Sequence, residues 1–228
     1  MKTHIDTDRE RLEQTAASLI ADHIRSLAEL QDMVIFAVPG GRSVSGIFEL
    51  LAKEDLPWEK VHLFMIDERL VPPDDPESNY RLVEEQFIRP CGKIPQKNIH
   101  PFIMDDAKDD KGVSEYGELL KSHGSRFDII ILSAGENGHV GALHPNHHSI
   151  KDDAPFFIIM DDSPKPPKGR MSSSKTLLEK AKVGFLLFFG ESKREALHDF
   201  RNPGLTVMEC PSKIITQIEQ GYVITDIA

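Results

Sequence analysis

An α/β fold, with a mainly parallel sheet and helices on both of its faces, is what this sequence predicts. Short, almost wholly apolar runs alternate with longer segments whose apolar residues recur at helical spacing, the pattern of strands joined by crossover helices. The apolar runs lack the in-and-out alternation of a half-exposed strand, so they read as strands covered on both sides. No linker, low-complexity tract or internal repeat divides the 228 residues, a length that suits one domain, 1–228.

Each element has its own signal. Residues 8–30 place Leu12, Ala16, Leu19, Ile20, Ile24 and Leu27 on one helical stripe. Residues 33–38 (MVIFAV) form a strand that Pro39-Gly40-Gly41 ends, and Val44, Ile47, Phe48 and Leu51 mark the next helix. Residues 61–66 (VHLFMI) form a strand followed by a polar loop over 67–78. A helix is expected over 79–88, stopping before Pro90, then a short strand over 99–103 and a helix over 113–120. Strands follow at 127–132 (FDIIIL), 156–160 (FFIIM) and 183–189, with helices at 177–181 and 191–200. A short helix at 212–218 and a strand at 222–225 end the series.

Composition narrows the function classes. The net charge is −10, which repels nucleic acid and anionic lipid, so neither is expected as a partner. The opening MKTHIDTDRERLEQ has no apolar stretch of a secretory signal, and no run approaches the ~20 apolar residues of a membrane helix. Cys91 and Cys210 sit in no CxxC pair, which argues against a disulfide framework or a zinc site and fits a reducing, cytoplasmic setting.

In a parallel sheet the ligand sits beyond the carboxyl ends of the strands, so the loops after the strands hold the candidates. Gly40-Gly41-Arg42-Ser43 lies between a strand and a helix. Its glycines let backbone N–H groups approach an anion at a helix start, with Arg42 and Ser43 as added donors; it reads equally as an ordinary tight turn. Asp67-Glu68-Arg69 follows a buried strand directly, where three charges have no packing reason; an Asp67–Arg69 ion pair is the structural alternative. Ser78-Asn79 has the look of a helix N-cap. In SAGENGHVGAL, 133–143, small residues surround His139, whose imidazole takes up a proton near neutral pH. The loop SPKPPKGR, 163–170, is stiff and basic, and Lys193 falls in the first turn of a helix, where an anionic ligand would give it a purpose. His144, His147 and His148 lack the HExxH spacing and a carboxylate close in sequence, so a solvated rim is expected there, not a metal site. No GxSxG elbow occurs.

Taken in order, VPGGRSVSGIFELLA, WEKVHLFMIDERLVPPDDPESNYRLVEEQF, FDIIILSAGENGHVGALHP, SPKPPKGR and FGESKREAL resemble the 6-phosphogluconolactonase family, which is related to glucosamine-6-phosphate isomerase/deaminase. The resemblance spans nearly the whole chain. It implies a three-layer α/β/α domain and cytoplasmic hydrolysis of 6-phosphoglucono-1,5-lactone without metal or organic cofactor, by a monomer or weak homo-oligomer. It also implies that His139 is the catalytic histidine, with Asp67 and Arg69 from the DER triplet beside it. Gly40, Gly41, Arg42, Ser43, Arg170 and Lys193 would hold the phosphate, and Asn137 and Gly138 would contact substrate. Where the family has Asp before Gly-His, this chain has Asn137; Gly141 and His144 also depart from the pattern. Asn137 keeps an acceptor but loses a charge, so a base oriented by that charge would be weakened. A phosphosugar-binding protein without catalysis is one alternative. A deaminase is another, but the family's acidic partners of the histidine are absent from this loop.

Overall fold

The structure is a computed structural model that describes residues 1–228. It opens with a strand the apolar pattern does not reveal, β1 (Lys2–Ile5), and then the long helix α1 (Arg9–Leu30), capped by the Asp8 carboxylate accepting from Arg11 N–H. β2 (Val34–Val38) is buried at every position, as its uninterrupted apolar run requires. A single 3₁₀ turn (Arg42–Val44) leads into α2 (Ser45–Lys53). β3 (Val61–Met65) follows, then β4 (Asp67–Arg69).

Residues 79–91 form one bent helical run: α3 (Asn79–Val83), a π-helical turn (Glu84–Ile88) and α4 (Arg89–Cys91). The expected stop before Pro90 is corrected here. The wider turn, in which Arg89 N–H reaches back to Glu84 O, relieves the clash a proline ring makes with the carbonyl four residues earlier. The run ends instead at Gly92, in left-handed conformation. Phe87 from this run stacks on Phe48 at 5.0 Å and meets Trp58 and Phe36 edge-on, which fastens it to α2 and β2.

The remainder comprises β5 (Ile99–His100), α5 (Val113–Ser122), β6 (Ile129–Ser133), α6 (His148–Lys151), β7 (Phe157–Met160), β8 (Arg170–Ser173), α7 (Lys175–Glu179), β9 (Val183–Phe188), α8 (Arg194–Arg201) and β10 (Gln220–Thr225). A 3₁₀ stretch (Pro211–Thr216) stands where a short helix was expected.

Seven strands make one sheet in the order β1-β10-β9-β6-β2-β3-β5, parallel at every pairing. One apolar cluster of 67 buried residues runs through it and the covering helices, and Cys91 and Cys210 are buried and unpaired. The α/β expectation, a mainly parallel sheet with helices on both faces, therefore holds. A second sheet was not expected: β4-β8-β7, antiparallel throughout. It takes the segment read as a polar loop after residue 66, the start of the segment after the basic loop, and the run 156–160, which was assigned to the main sheet.

Candidate active site

The order of the main sheet builds the site. β6 lies between β9 and β2, so the loop carrying His139 is flanked by the loops that follow those two strands. Both flanking loops are built alike. Gly41 (φ 98°) precedes the 3₁₀ turn that opens α2, and Gly190 (φ 89°) precedes the 3₁₀ turn Glu191–Lys193 that opens α8. Positive φ is the conformation that glycine adopts at no steric cost. Two helix starts, both favourable to an anion, thus stand either side of the histidine.

The carboxyl ends enclose a cavity of about 580 Å³. Its lining includes Gly40, Gly41, Arg42, Ser43, Asp67, Arg69, His139, Arg170 and Lys193, brought together from five separate stretches of chain. Six basic side chains border it, with Arg9 and Lys165 joining Arg42, Arg69, Arg170 and Lys193, against the two acidic groups Asp67 and Glu136. In a chain of net charge −10, that concentration of positive charge reads as a seat for an anion.

His139 is held by its loop. Gly135 N–H donates to His139 O at 2.8 Å and Gly138 N–H to Gly135 O at 3.0 Å. A Cβ on Gly135 would stand 1.9 Å from His139 Cε1, so only glycine leaves room for the ring. The ring Nδ1 lies 2.6 Å from Asn137 Oδ1. An amide oxygen can only accept, so Nδ1 carries the proton and the Nε2 lone pair remains for chemistry. Burial, then His144, Lys165, Lys193 and Arg170, push the His139 pKa down to about 3.

Asn137 and Gly138 do not line the cavity. Asn137 is engaged with His139. Gly138 (φ 77°) faces Cys210 and Ser212, and its carbonyl accepts from Ser212 N–H at 2.8 Å.

The small sheet supplies the opposite wall. Arg69 pairs with Arg170 in register, so antiparallel pairing places two guanidinium groups beside the cavity. Arg170 is buried and donates to Pro167 O at 2.9 Å and Pro166 O at 3.0 Å. Arg69 bonds Glu77 O, and its Nε is buried without a partner. The Asp67–Arg69 ion pair does not form. The buried Asp67 accepts from Asn79 Nδ2 at 3.1 Å, and burial raises its pKa against the pull of Arg69 and Arg170. Glu68 has a structural use instead: it accepts from the N–H groups of Arg69, Asn79 and Tyr80, each at 2.7 Å, and from Ser78 Oγ at 3.1 Å. Ser78 also caps α3, accepting from Arg81 N–H, so the N-cap expected there is present.

Sequence reasoning missed Arg9, Asn79 and His144 as cavity residues. Arg9 comes from the start of α1, far from any loop after a strand, and packs over Phe189 at 4.9 Å. Asn79 presses so close that a Cβ on Gly40 would lie 2.0 Å from Asn79 Oδ1. His144, 3% exposed, sits 4.7 Å from His139 ring to ring and bonds Ser163 Oγ through Nε2 at 3.1 Å. Its Nδ1 is buried without a partner. His147 and His148 do have a carboxylate near them in space: Asp162 lies 3.4 and 2.8 Å away.

Known proteins resemble this chain. A family model described as glucosamine-6-phosphate isomerases/6-phosphogluconolactonase matches residues 7–224. A 6-phosphogluconolactonase of Borreliella burgdorferi is 30% identical over 194 residues, covering 82% of this chain and 81% of that protein. The crystal structure of a 6-phosphogluconolactonase from Thermotoga maritima superposes with a TM-score of 0.86 at 24% identity, over 98% of both chains. A monomeric glucosamine-6-phosphate deaminase superposes with a TM-score of 0.84 at 21% identity, over 99% of this chain and 97% of that one, a likeness of fold. By sequence over nearly its whole length, and by fold, the chain belongs to the glucosamine-6-phosphate isomerase/6-phosphogluconolactonase family.

Proposed function

We propose that this chain hydrolyses 6-phospho-D-glucono-1,5-lactone to 6-phosphogluconate, with His139 as general base. The observation that carries the reading is the placement of one neutral imidazole between two glycine-opened helix starts in a basic cavity. The substrate phosphate docks on Gly40, Gly41, Arg42 and Ser43, with Arg170 and Lys193 closing on it. His139 Nε2 takes a proton from water as the water oxygen bonds to the lactone carbonyl carbon. Arg69, with its unpartnered Nε, is the candidate donor to the oxyanion, where preorganised hydrogen bonds contribute most. The ring C–O bond then breaks and the departing oxygen receives the proton from His139. Asp67 holds Asn79 and balances Arg69 and Arg170. In this reading residues 1–228 act as one domain, in the cytoplasm, as a monomer or weak homo-oligomer, with neither nucleic acid nor membrane as a partner. No helix is long and apolar enough to cross a membrane.

The loop lacks an acidic partner for His139, which disfavours deamination. Lactone decay, corrected for spontaneous hydrolysis, is the deciding assay. H139N should lose ~10²–10⁴-fold in kcat while its affinity for 6-phosphogluconate stays within a factor of about three, well below one tenfold step of ~1.4 kcal/mol. Unchanged turnover removes His139 from the mechanism. Product binding by wild type with no acceleration turns the reading to a non-catalytic phosphosugar binder, and ammonia release from glucosamine 6-phosphate turns it to a deaminase.

A further inference from the structure

Three histidines that the site does not use meet at the other end of the sheet. His62 is the second residue of β3, His100 ends the edge strand β5, and His123 follows the last residue of α5. None of them lines the cavity. One ring nitrogen from each lies within 4.8 Å of the other two. His62 Nδ1 and His100 Nε2 are 3.0 Å apart, close to the ~3.3 Å edge of a tetrahedron with ~2.0 Å metal–nitrogen bonds. We propose that His62, His100 and His123 form a binding site for one divalent transition-metal ion of the zinc type, with a fourth position open to water.

Packing alone does not ask for this trio. A hydrogen bond between His62 and His100 uses one proton and two rings, and it leaves the third ring with no polar role in the cluster. His123 is oriented from outside, its Nδ1 2.7 Å from Leu119 O, the kind of outer bond that sets a metal-ligating imidazole. His100 is fixed by its own main chain, whose carbonyl accepts from Tyr116 Oη at 2.7 Å, and by Phe64 stacked at 4.4 Å. The backbone beneath the cluster is therefore set without the ion. An all-imidazole set suits zinc, copper or nickel and disfavours magnesium and calcium, which prefer oxygen. The ion would tie the two-residue edge strand β5 to β3 and to the end of α5. It is separate from the hydrolytic chemistry proposed above.

The tag-free chain, stripped with a chelator, is titrated with Zn²⁺ alone by calorimetry, and its Tm is followed. The second histidine group, His147 and His148 with Asp162, is first removed as the double variant H147N/H148N. One equivalent of Zn²⁺ should still bind, at His62, His100 and His123, with a rise in Tm. Failure to bind an equivalent overturns the proposal without any change having been made at the site. H123Q, at a half-exposed helix end, should then weaken binding by at least ~10-fold, the least that loss of an outer-shell partner costs, and leave lactone turnover unchanged. H62Q serves as the second variant, with circular dichroism confirming the fold of each. Zn²⁺ affinity equal to wild type in folded H123Q or H62Q also overturns the site.

Discussion

The side chain of Asn137 fixes which nitrogen of His139 is left to act as the base. Burial and the surrounding cations hold the imidazole neutral, with a pKa of about 3, so it is free to accept a proton but accepts it weakly. A bound phosphate offsets Lys165, Lys193 and Arg170, and so raises that basicity when substrate is present. N137D puts a carboxylate where an amide oxygen now sits, 2.6 Å from Nδ1. A negative neighbour favours the charged imidazolium, so the pKa rises. The rate needs the unprotonated ring. The acid limb of the kcat/KM profile should therefore move to higher pH by ~1–3 units, with a higher kcat on the plateau. An acid limb that stays in place would separate Asn137 from the base. His139 was legible in the sequence because glycines flank it on both sides in the loop after a strand. His144 was not, since its meaning depends on Ser163 and on a ring contact that only the fold creates.

Among the elements, the small sheet and α3 form one device. The Glu68 carboxylate from β4 collects three backbone N–H groups and a hydroxyl, holding the start of α3 and with it Asn79. Asn79 in turn donates to Asp67 O at 2.9 Å and to its carboxylate. Glu68→Ala strands several buried donors at once, each costing ~1–3 kcal/mol, so unfolding by urea should show a loss of about 3 kcal/mol or more after partial relaxation. Lactone turnover should also fall, because Asp67 and Arg69 share the strand. A change under 1 kcal/mol would mean that water replaces the carboxylate. This device was hidden from the periodicity argument. Asp67–Arg69 carries three charges and Arg170–Ser173 reads RMSS, so neither looks like a strand. They are strands because their backbones pair with each other, while Asp67, Arg69 and Arg170 turn their side chains to a polar cavity. The main-sheet strands were legible for the opposite reason: burial on both faces leaves only apolar residues.

For the molecule as a whole, the buried histidines set how stability responds to acid. His144 is 3% exposed and its pKa falls to about 4 through burial, His147, Arg170 and Lys165. In the unfolded chain it takes its proton near the ordinary value of ~6.5. Below that pH the unfolded state binds more protons than the native state, so stability falls as pH falls towards 4. The loss at pH 5 relative to pH 7 should be ~1–2 kcal/mol from His144, with a smaller share from the half-exposed His139. Denaturant midpoints at the two values test it, and H144F should flatten the response. A midpoint that rises on acidification would contradict the assignment. The family resemblance, the parallel sheet and the set of loops at its carboxyl ends were all legible in the chain. The edge pairing was not, because β1 is a short, half-polar segment that acquires its meaning from a partner more than two hundred residues away.

That partner is β10, which pairs Lys2 with Tyr222 and Ile5 with Thr225 while its other edge holds β9. During synthesis the first strand emerges with nothing to bond, and it waits until the more than two hundred residues between it and β10 have been made. Closing this sheet is consequently a late event, and one of high sequence separation, which slows folding. A nascent chain stalled before residue 220 would leave β1 unpaired and the edge of β9 open to whatever strand arrives first.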